Sequence, residues 1–205
     1  MTAKNIILLF WGLACFSFPV AGLAAPVTAS ILPPVTGAWS QTVDGVQGRL
    51  LVAPGYKING TMLPQVYLEL RNVSDLANPL DIYYGNGAGV ELEVIDSQNK
   101  KVAPDLSLSF DAMMPKPYGL VLPHDSSLRF LVSGYGYGIP KNAGTMLEIG
   151  TAINGVILLP NNRHHAYFLR GTFSAHPVKK VGSQSEWQGT LILPQVDLSA
   201  LLARK

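Results

Sequence analysis

Several residues of this chain have the types and spacings that chemistry uses. His124, Asp125 and Ser126 are the side-chain types of a hydrolase triad. They are adjacent in sequence, whereas a general base and a nucleophile must converge from separate backbone positions. The spacing predicts a turn instead, with Asp125 and Ser126 bonding local backbone. His164, His165 and His176 are potential metal ligands. Neighbours on a strand point to opposite faces, so each face offers one ligand, and Asn161-Asn162 places the pair in a solvated corner. A metal there would need His165 joined by an Asp or Glu from another strand. Glu91 and Glu93 lie ~6.8 Å apart along a strand, within the range of an inverting glycosidase pair. On an exposed strand face they read as solubilising charge. No catalytic residue, metal ligand or cofactor is therefore expected.

The loops hold a different kind of candidate. Gly85-Asn86-Gly87-Ala88-Gly89 has the look of a phosphate-cradling loop, but such loops open a helix and here a strand follows. Its glycines fit a flexible or positive-φ connection. Gly134-Tyr135-Gly136-Tyr137-Gly138 presents two tyrosines on a glycine-rich loop. With Tyr83 and Tyr84, and with Trp39 elsewhere, they could build an aromatic platform for a sugar or peptide, because tyrosine supplies contact area at low entropic cost. Tyr83, Tyr84, Tyr135 and Tyr137 are thus the candidate ligand-binding residues. Asn59-Gly60-Thr61 and Asn72-Val73-Ser74 match the glycosylation sequon; beside a bacterial-type leader they read as coincidence.

The elements that must position these residues are strands. Val66, Leu68 and Leu70 share one face of a run whose other face carries Tyr67, Glu69 and Arg71. Val90, Leu92 and Val94 alternate with Glu91 and Glu93, and Leu128, Phe130 and Val132 with Arg129, Leu131 and Ser133. Tyr167, Leu169 and Phe173 oppose Arg170 and Thr172, and Trp187, Leu191 and Leu193 repeat the pattern. Each is the signature of an antiparallel strand with one face on a core and one in water. Further strands are expected over 47–52, 80–84, 146–149 and 156–159. Helix is nearly absent, apart from a short terminal turn over 198–203 that Asp197 could cap. About nine short strands separated by turn residues predict an antiparallel β-sandwich of immunoglobulin or fibronectin type. The segment from Leu159 through Asn161-Asn162 to Tyr167 looks like the tyrosine corner of such sandwiches.

Composition narrows the class. The chain has 205 residues, 20 Gly and 15 Pro, with only 14% charged. Its basic residues are scattered, with Lys100-Lys101 and Lys179-Lys180 the only doublets. This is no nucleic-acid or membrane footprint, which needs a concentrated stripe. The single cysteine, Cys15, lies inside an N-terminal apolar run.

That N-terminus reads as a secretory signal peptide. Lys4 supplies the basic start, residues 6–18 the apolar stretch, and the small residues around Gly22, Ala24 and Ala25 the exit. Cleavage is expected after Ala24. The rival readings are an uncleaved membrane anchor over 6–25 and lipidation of Cys15, which Gly12 three places earlier disfavours. Removing residues 1–24 takes away Lys4 and leaves 14 basic against 13 acidic residues, a net charge of +1. The remaining chain has no disulfide, yet it is long enough to bury about 70% of its unfolded surface in one domain. The expected organisation is signal 1–24, extended tether 25–38, one sandwich domain 39–198 and a tail 199–205.

Trp39-Ser40, Val43, Gly45, Arg49-Leu50, the stretch Tyr67-Leu68-Glu69-Leu70-Arg71-Asn72-Val73-Ser74-Asp75 and Leu122-Pro123-His124-Asp125-Ser126 resemble exported proteins of planctomycete-type bacteria. The resemblance implies an immunoglobulin-like sandwich and export, and carries no activity or site residue with it. The strand followed by Arg71-Asn72 is also similar to a piece of bacterial proteinase-inhibitor-like sandwiches.

The expected function is a non-enzymatic binding or structural role at the cell envelope, periplasmic or extracellular, with a glycan or an envelope protein as partner and no nucleic acid. Membrane attachment is expected only if the leader stays uncut. The alternatives are a secreted hydrolase using Glu91 and Glu93, and an inhibitor-like module presenting the loop Met113-Met114-Pro115-Lys116-Pro117.

Overall fold

A computed structural model of the chain describes residues 33–58, 60–75, 80–84, 89–105, 118–133, 145–151, 155–160, 165–175 and 186–202. Eleven strands and one helical turn lie among them. The strands are β1 (Val35–Thr36), β2 (Val46–Ile58), β3 (Thr61–Asn72), β4 (Leu80–Tyr84), β5 (Val90–Asp96) and β6 (Tyr118–Leu122). They continue with β7 (Ser127–Ser133), β8 (Thr145–Thr151), β9 (Gly155–Pro160), β10 (Tyr167–Ser174) and β11 (Thr190–Asp197), and the chain ends in α1 (Ser199–Leu202). The protein is all-β and sandwich-like.

The larger sheet runs β1-β2-β3-β8-β9, with β7 also on β3. A second sheet runs β11-β10-β5, and β4 pairs with β6 as a two-stranded ribbon. All pairings are antiparallel except β3 with β8, which meet in parallel at Met62 and Leu147. β3 changes partner along its length: its start meets β8, whereas Val66 to Arg71 pair with β7. Its hairpin with β2 closes through Gly60, whose φ of 84° an L side chain rarely adopts.

The period-2 alternation does what it predicts. Leu50, Leu68 and Leu70 of the larger sheet and Leu92, Val94, Leu169, Phe173, Leu191 and Leu193 of the smaller one share a single buried cluster. Phe173 is at its centre, stacked on Trp187 at 5.9 Å and edge-on to Phe130 at 6.4 Å. The indole N–H of Trp187 donates to the Val43 carbonyl at 3.0 Å, so burying the ring leaves no orphaned donor. The sheets meet closely at Gly48: a Cβ there would stand 2.9 Å from side-chain atoms of both Leu191 and Leu193. A larger residue at 48 would have to push the sheets apart.

The domain reaches further at both ends than the 39–198 expected. Val35 and Thr36 pair with Val52 and Leu51, and the Gly37 N–H donates to the Leu50 carbonyl at 2.9 Å. Leu201 of α1 is buried in the core, and the carboxylate of Asp197 accepts the Ser199 N–H at 2.8 Å, as the capping reading foresaw. β1 and β6 are additional to the strands expected from sequence. Val121 of β6 is 61% exposed beside the buried Leu122, so β6 presents an apolar residue on each side and shows no alternation.

Candidate functional site

The outward face of β2, β3 and β7 is a grid fixed by strand register. Arg49, Glu69 and Arg129 stand side by side across the three strands. On one side of that row lie Gln47, Arg71 and Ser127; on the other lie Leu51, Tyr67 and Leu131. These positions alternate with the core residues Leu50, Leu68, Leu70, Leu128 and Phe130, so burying one set directs the other to the opposite face, where Leu51 alone of the apolar members is buried.

Electrostatics organises the grid. Glu69 gives one carboxylate oxygen to Arg49 Nε at 2.6 Å and the other to Arg129 Nη2 at 3.3 Å. Its side chain is only 10% exposed, and a carboxylate so placed requires such partners. Trp39 adds a second layer. The guanidinium carbons of Arg49 and Arg71 each lie 4.2 Å from a Trp39 ring centroid, close enough for cation–π attraction. The next residue pins the indole in place: the Ser40 N–H bonds the Gly48 carbonyl at 2.8 Å, and Ser40 Oγ accepts the Gly48 N–H at 3.0 Å. Gln47 completes the brace, donating to the Ser40 carbonyl at 3.0 Å and accepting from Arg71 Nε at 2.7 Å.

Three guanidiniums therefore face one carboxylate. Among the described residues Arg71 pairs with no acid; its bond is to a neutral amide and its stacking partner is an indole. An arginine oriented on an aromatic ring, with terminal N–H groups not taken by a carboxylate, is chemically an anion receptor. Polar neutral groups share the face, Ser127 next to Arg71 across the strands and Tyr67 beyond Glu69. Tyr67 donates its hydroxyl to Gln65 Oε1 at 2.8 Å, and Ser127 is exposed.

The residues singled out from sequence fall elsewhere. Tyr83 and Tyr84 are on β4, paired through the backbone with Gly119 and Tyr118; Tyr135 and Tyr137 lie outside the described residues, as do residues 113–117. His124, Asp125 and Ser126 form the expected turn: Asp125 has a φ of 54°, and the Ser126 hydroxyl donates to the Pro123 carbonyl at 2.6 Å. His165 is exposed, with its ring edge-on to Tyr167 at 6.5 Å. His164, His176 and the corner that the Tyr167 hydroxyl would reach are not among the described residues. Within those described, no three His, Cys, Asp or Glu side chains group as metal ligands, and no helix is long and apolar enough to cross a membrane.

Glu93 accepts from Arg170 at 2.5 Å and lies 3.5 Å from Lys101, while Glu91 is exposed. The Arg170 hydrogen bond holds the Glu93 carboxyl below its ordinary value, against the opposing pull of partial burial, and the charges of Arg170 and Lys101 add to the lowering. A general acid needs the opposite shift. Asn72 of the second sequon is 1% exposed and already engaged. Its amide donates to the Leu122 carbonyl at 3.1 Å, and its Oδ1 accepts from the Ser74 N–H and hydroxyl.

The arginine–tryptophan face was only half visible from sequence. Alternation puts Tyr67, Glu69 and Arg71 on one face, but their meeting with Trp39, Arg49 and Arg129 follows from strand register, which alternation does not carry. The available signal was that Arg49, Arg71 and Arg129 each occupy an outward position of an expected strand. No family model, curated protein or solved structure matches the chain.

Proposed function

We propose that the protein is an exported, non-enzymatic binding module, and that it meets its ligand through the outward face of β2, β3 and β7. The observation that carries the reading is Arg71, stacked on Trp39 and, among the described residues, lacking a carboxylate partner on a face whose other ion pairs are satisfied. Export rests on the leader-like residues 1–24, and the absence of cysteine from the remaining chain fits a fold held by its core alone. Sheet positions that serve stability alone need no surplus of oriented cations, because isolated surface charges add little to folding.

Mass spectrometry of the protein recovered from its native host tests export. A mature chain beginning at Ala25 in the periplasm or medium is expected; an intact N-terminus in the cytosol would end that part of the reading. Screening glycans and envelope proteins with the wild type and with Arg71→Gln tests the contact face. Binding to a confirmed ligand that survives Arg71→Gln and Arg129→Gln unchanged would remove the face from consideration.

A further inference from the structure

We infer that the ligand of this face is an acidic polysaccharide, whose carboxylate or sulfate groups seat on Arg71 and Arg129 beside Trp39. The inference rests on the binding reading above and adds the chemistry of the partner.

Charge gives the first argument. Among the described residues Arg49, Arg71 and Arg129 stand around Glu69, an excess of two positive charges in this cluster of four. Glu69 occupies Arg49 through Nε and Arg129 through one terminal nitrogen, while among the described residues Arg71 spends only its Nε, on Gln47. The terminal nitrogens of Arg71 remain for a carboxylate or sulfate, two of whose oxygens a guanidinium meets with two parallel N–H bonds. Arg129 is 46% exposed and presents further donors in the adjoining row.

Position gives the second argument. Extended peptides are held at a sheet edge, helical ones in an apolar groove and proline-rich ones between aromatic walls. Arg71 is on β3, which β2 flanks on one side and β7 on the other, so no edge lies at Arg71 itself; among the described residues the nearest edge is that of β7, which pairs only with β3. Both guanidiniums on Trp39 occupy the indole as a stacking partner. What this face offers is oriented cations among neutral hydrogen-bonding groups: Gln47, Gln65, Tyr67 and Ser127. A sugar chain carrying hydroxyls between its anionic groups matches that inventory, whereas an acidic peptide has few hydroxyls to use it.

Binding is measured by calorimetry on the mature chain, with polygalacturonate, dextran sulfate, neutral dextran and poly-glutamate as probes. The expected result is binding to polygalacturonate or dextran sulfate, the stronger of the two telling carboxylate from sulfate, and none to dextran. Arg71→Gln and Arg129→Gln should each weaken binding about tenfold, the size of one charge-assisted hydrogen bond. Arg170→Gln, on the other sheet, should leave it unchanged. Raising salt from ~0.05 to ~0.5 M should weaken it as well. If Arg71→Gln unfolds by circular dichroism, the more exposed Arg129→Gln carries the test.

Polyanion binding that Arg170→Gln weakens as much as Arg71→Gln is non-specific and overturns the inference. So does equal or tighter binding to poly-glutamate, which would make the partner an acidic peptide and leave the binding module standing. Failure of every polyanion, with a neutral glycan or envelope protein still lost on Arg71→Gln, overturns the polysaccharide but keeps the face.

Discussion

The outward faces of the two sheets use one device for different ends. On β3, Glu69 is clamped by Arg49 and Arg129; on β5, Glu93 is clamped by Arg170 and Lys101. Each carboxylate projects from a strand whose neighbours along the chain are core aliphatics, and each gathers cations from other strands or the adjoining turn. The differences are in depth and surplus. Glu69 is 10% exposed and Glu93 27%. The smaller sheet balances Glu91 and Glu93 with Arg170 and Lys101, and Arg170 also donates to Asn99 at 3.1 Å. The larger sheet adds Arg71 and Trp39 to a clamp that is already complete. A carboxylate between cations is thus a registry device common to both faces, and only the larger sheet carries cations beyond what register requires.

Removing the carboxylates should separate the two clamps most strongly. Glu69→Gln removes a carboxylate that is only 10% exposed and leaves Arg49 and Arg129 near one another without a counter-charge. It should cost about 1–3 kcal/mol in urea unfolding, the range for breaking a bond to a poorly solvated charged group. Glu93→Gln acts at a wetter site, where ion pairs contribute about 0–1 kcal/mol. Salt at ~0.5 M should recover part of the Glu69→Gln loss by screening the guanidiniums. Equal costs for the two substitutions would show that depth does not distinguish the clamps.

Local pattern made the faces legible and non-local register hid the site. The split between Val66, Leu68 and Leu70 on one side and Tyr67, Glu69 and Arg71 on the other follows from a side-chain period of two. It needs no knowledge of a partner strand. That Arg49 and Arg129 converge on Glu69 depends on pairings across 20 and 60 residues of chain, and alternation is blind to which strands become neighbours. β1 was hidden for a related reason: two residues in a Pro- and Thr-rich lead become a strand because β2 offers an edge, not by their own propensity. Trp39 was noticed as an aromatic, but its role comes from the Ser40 brace to Gly48, which only the folded chain shows.

A smaller effect distinguishes the clamps by pH. Glu93 is held below its ordinary value of about 4.5, so the folded state favours its ionised form. That contribution is fully present above the ordinary value and is lost as pH falls through the folded one. Wild-type stability should therefore decline as pH falls below the ordinary carboxyl value of about 4.5, and part of that decline belongs to this carboxylate. Glu93→Gln removes a group that titrates, so its acid limb should be flatter, and the gap between variant and wild type should close as pH falls. A gap that stays constant from neutral to acid pH would show that folding does not lower the Glu93 carboxyl.

The weakest effect expected is also the plainest contrast of the two surfaces. Ile192 on β11 is 77% exposed on the outward face of the smaller sheet, whereas Leu131 on β7 is 40% exposed beside Tyr67. Little apolar area leaves water at Ile192 on folding, so Ile192→Thr should change stability by no more than about 0.5 kcal/mol in either direction. Threonine also keeps the β-branch that a strand favours. Leu131→Thr removes a side chain that is more than half covered and should cost more, about 1 kcal/mol at the usual value per unit of buried apolar area. If Ile192→Thr proved the costlier change, the smaller sheet's outward face would be covered in the folded protein, and its balanced charges would belong to an interface rather than to a solvated surface.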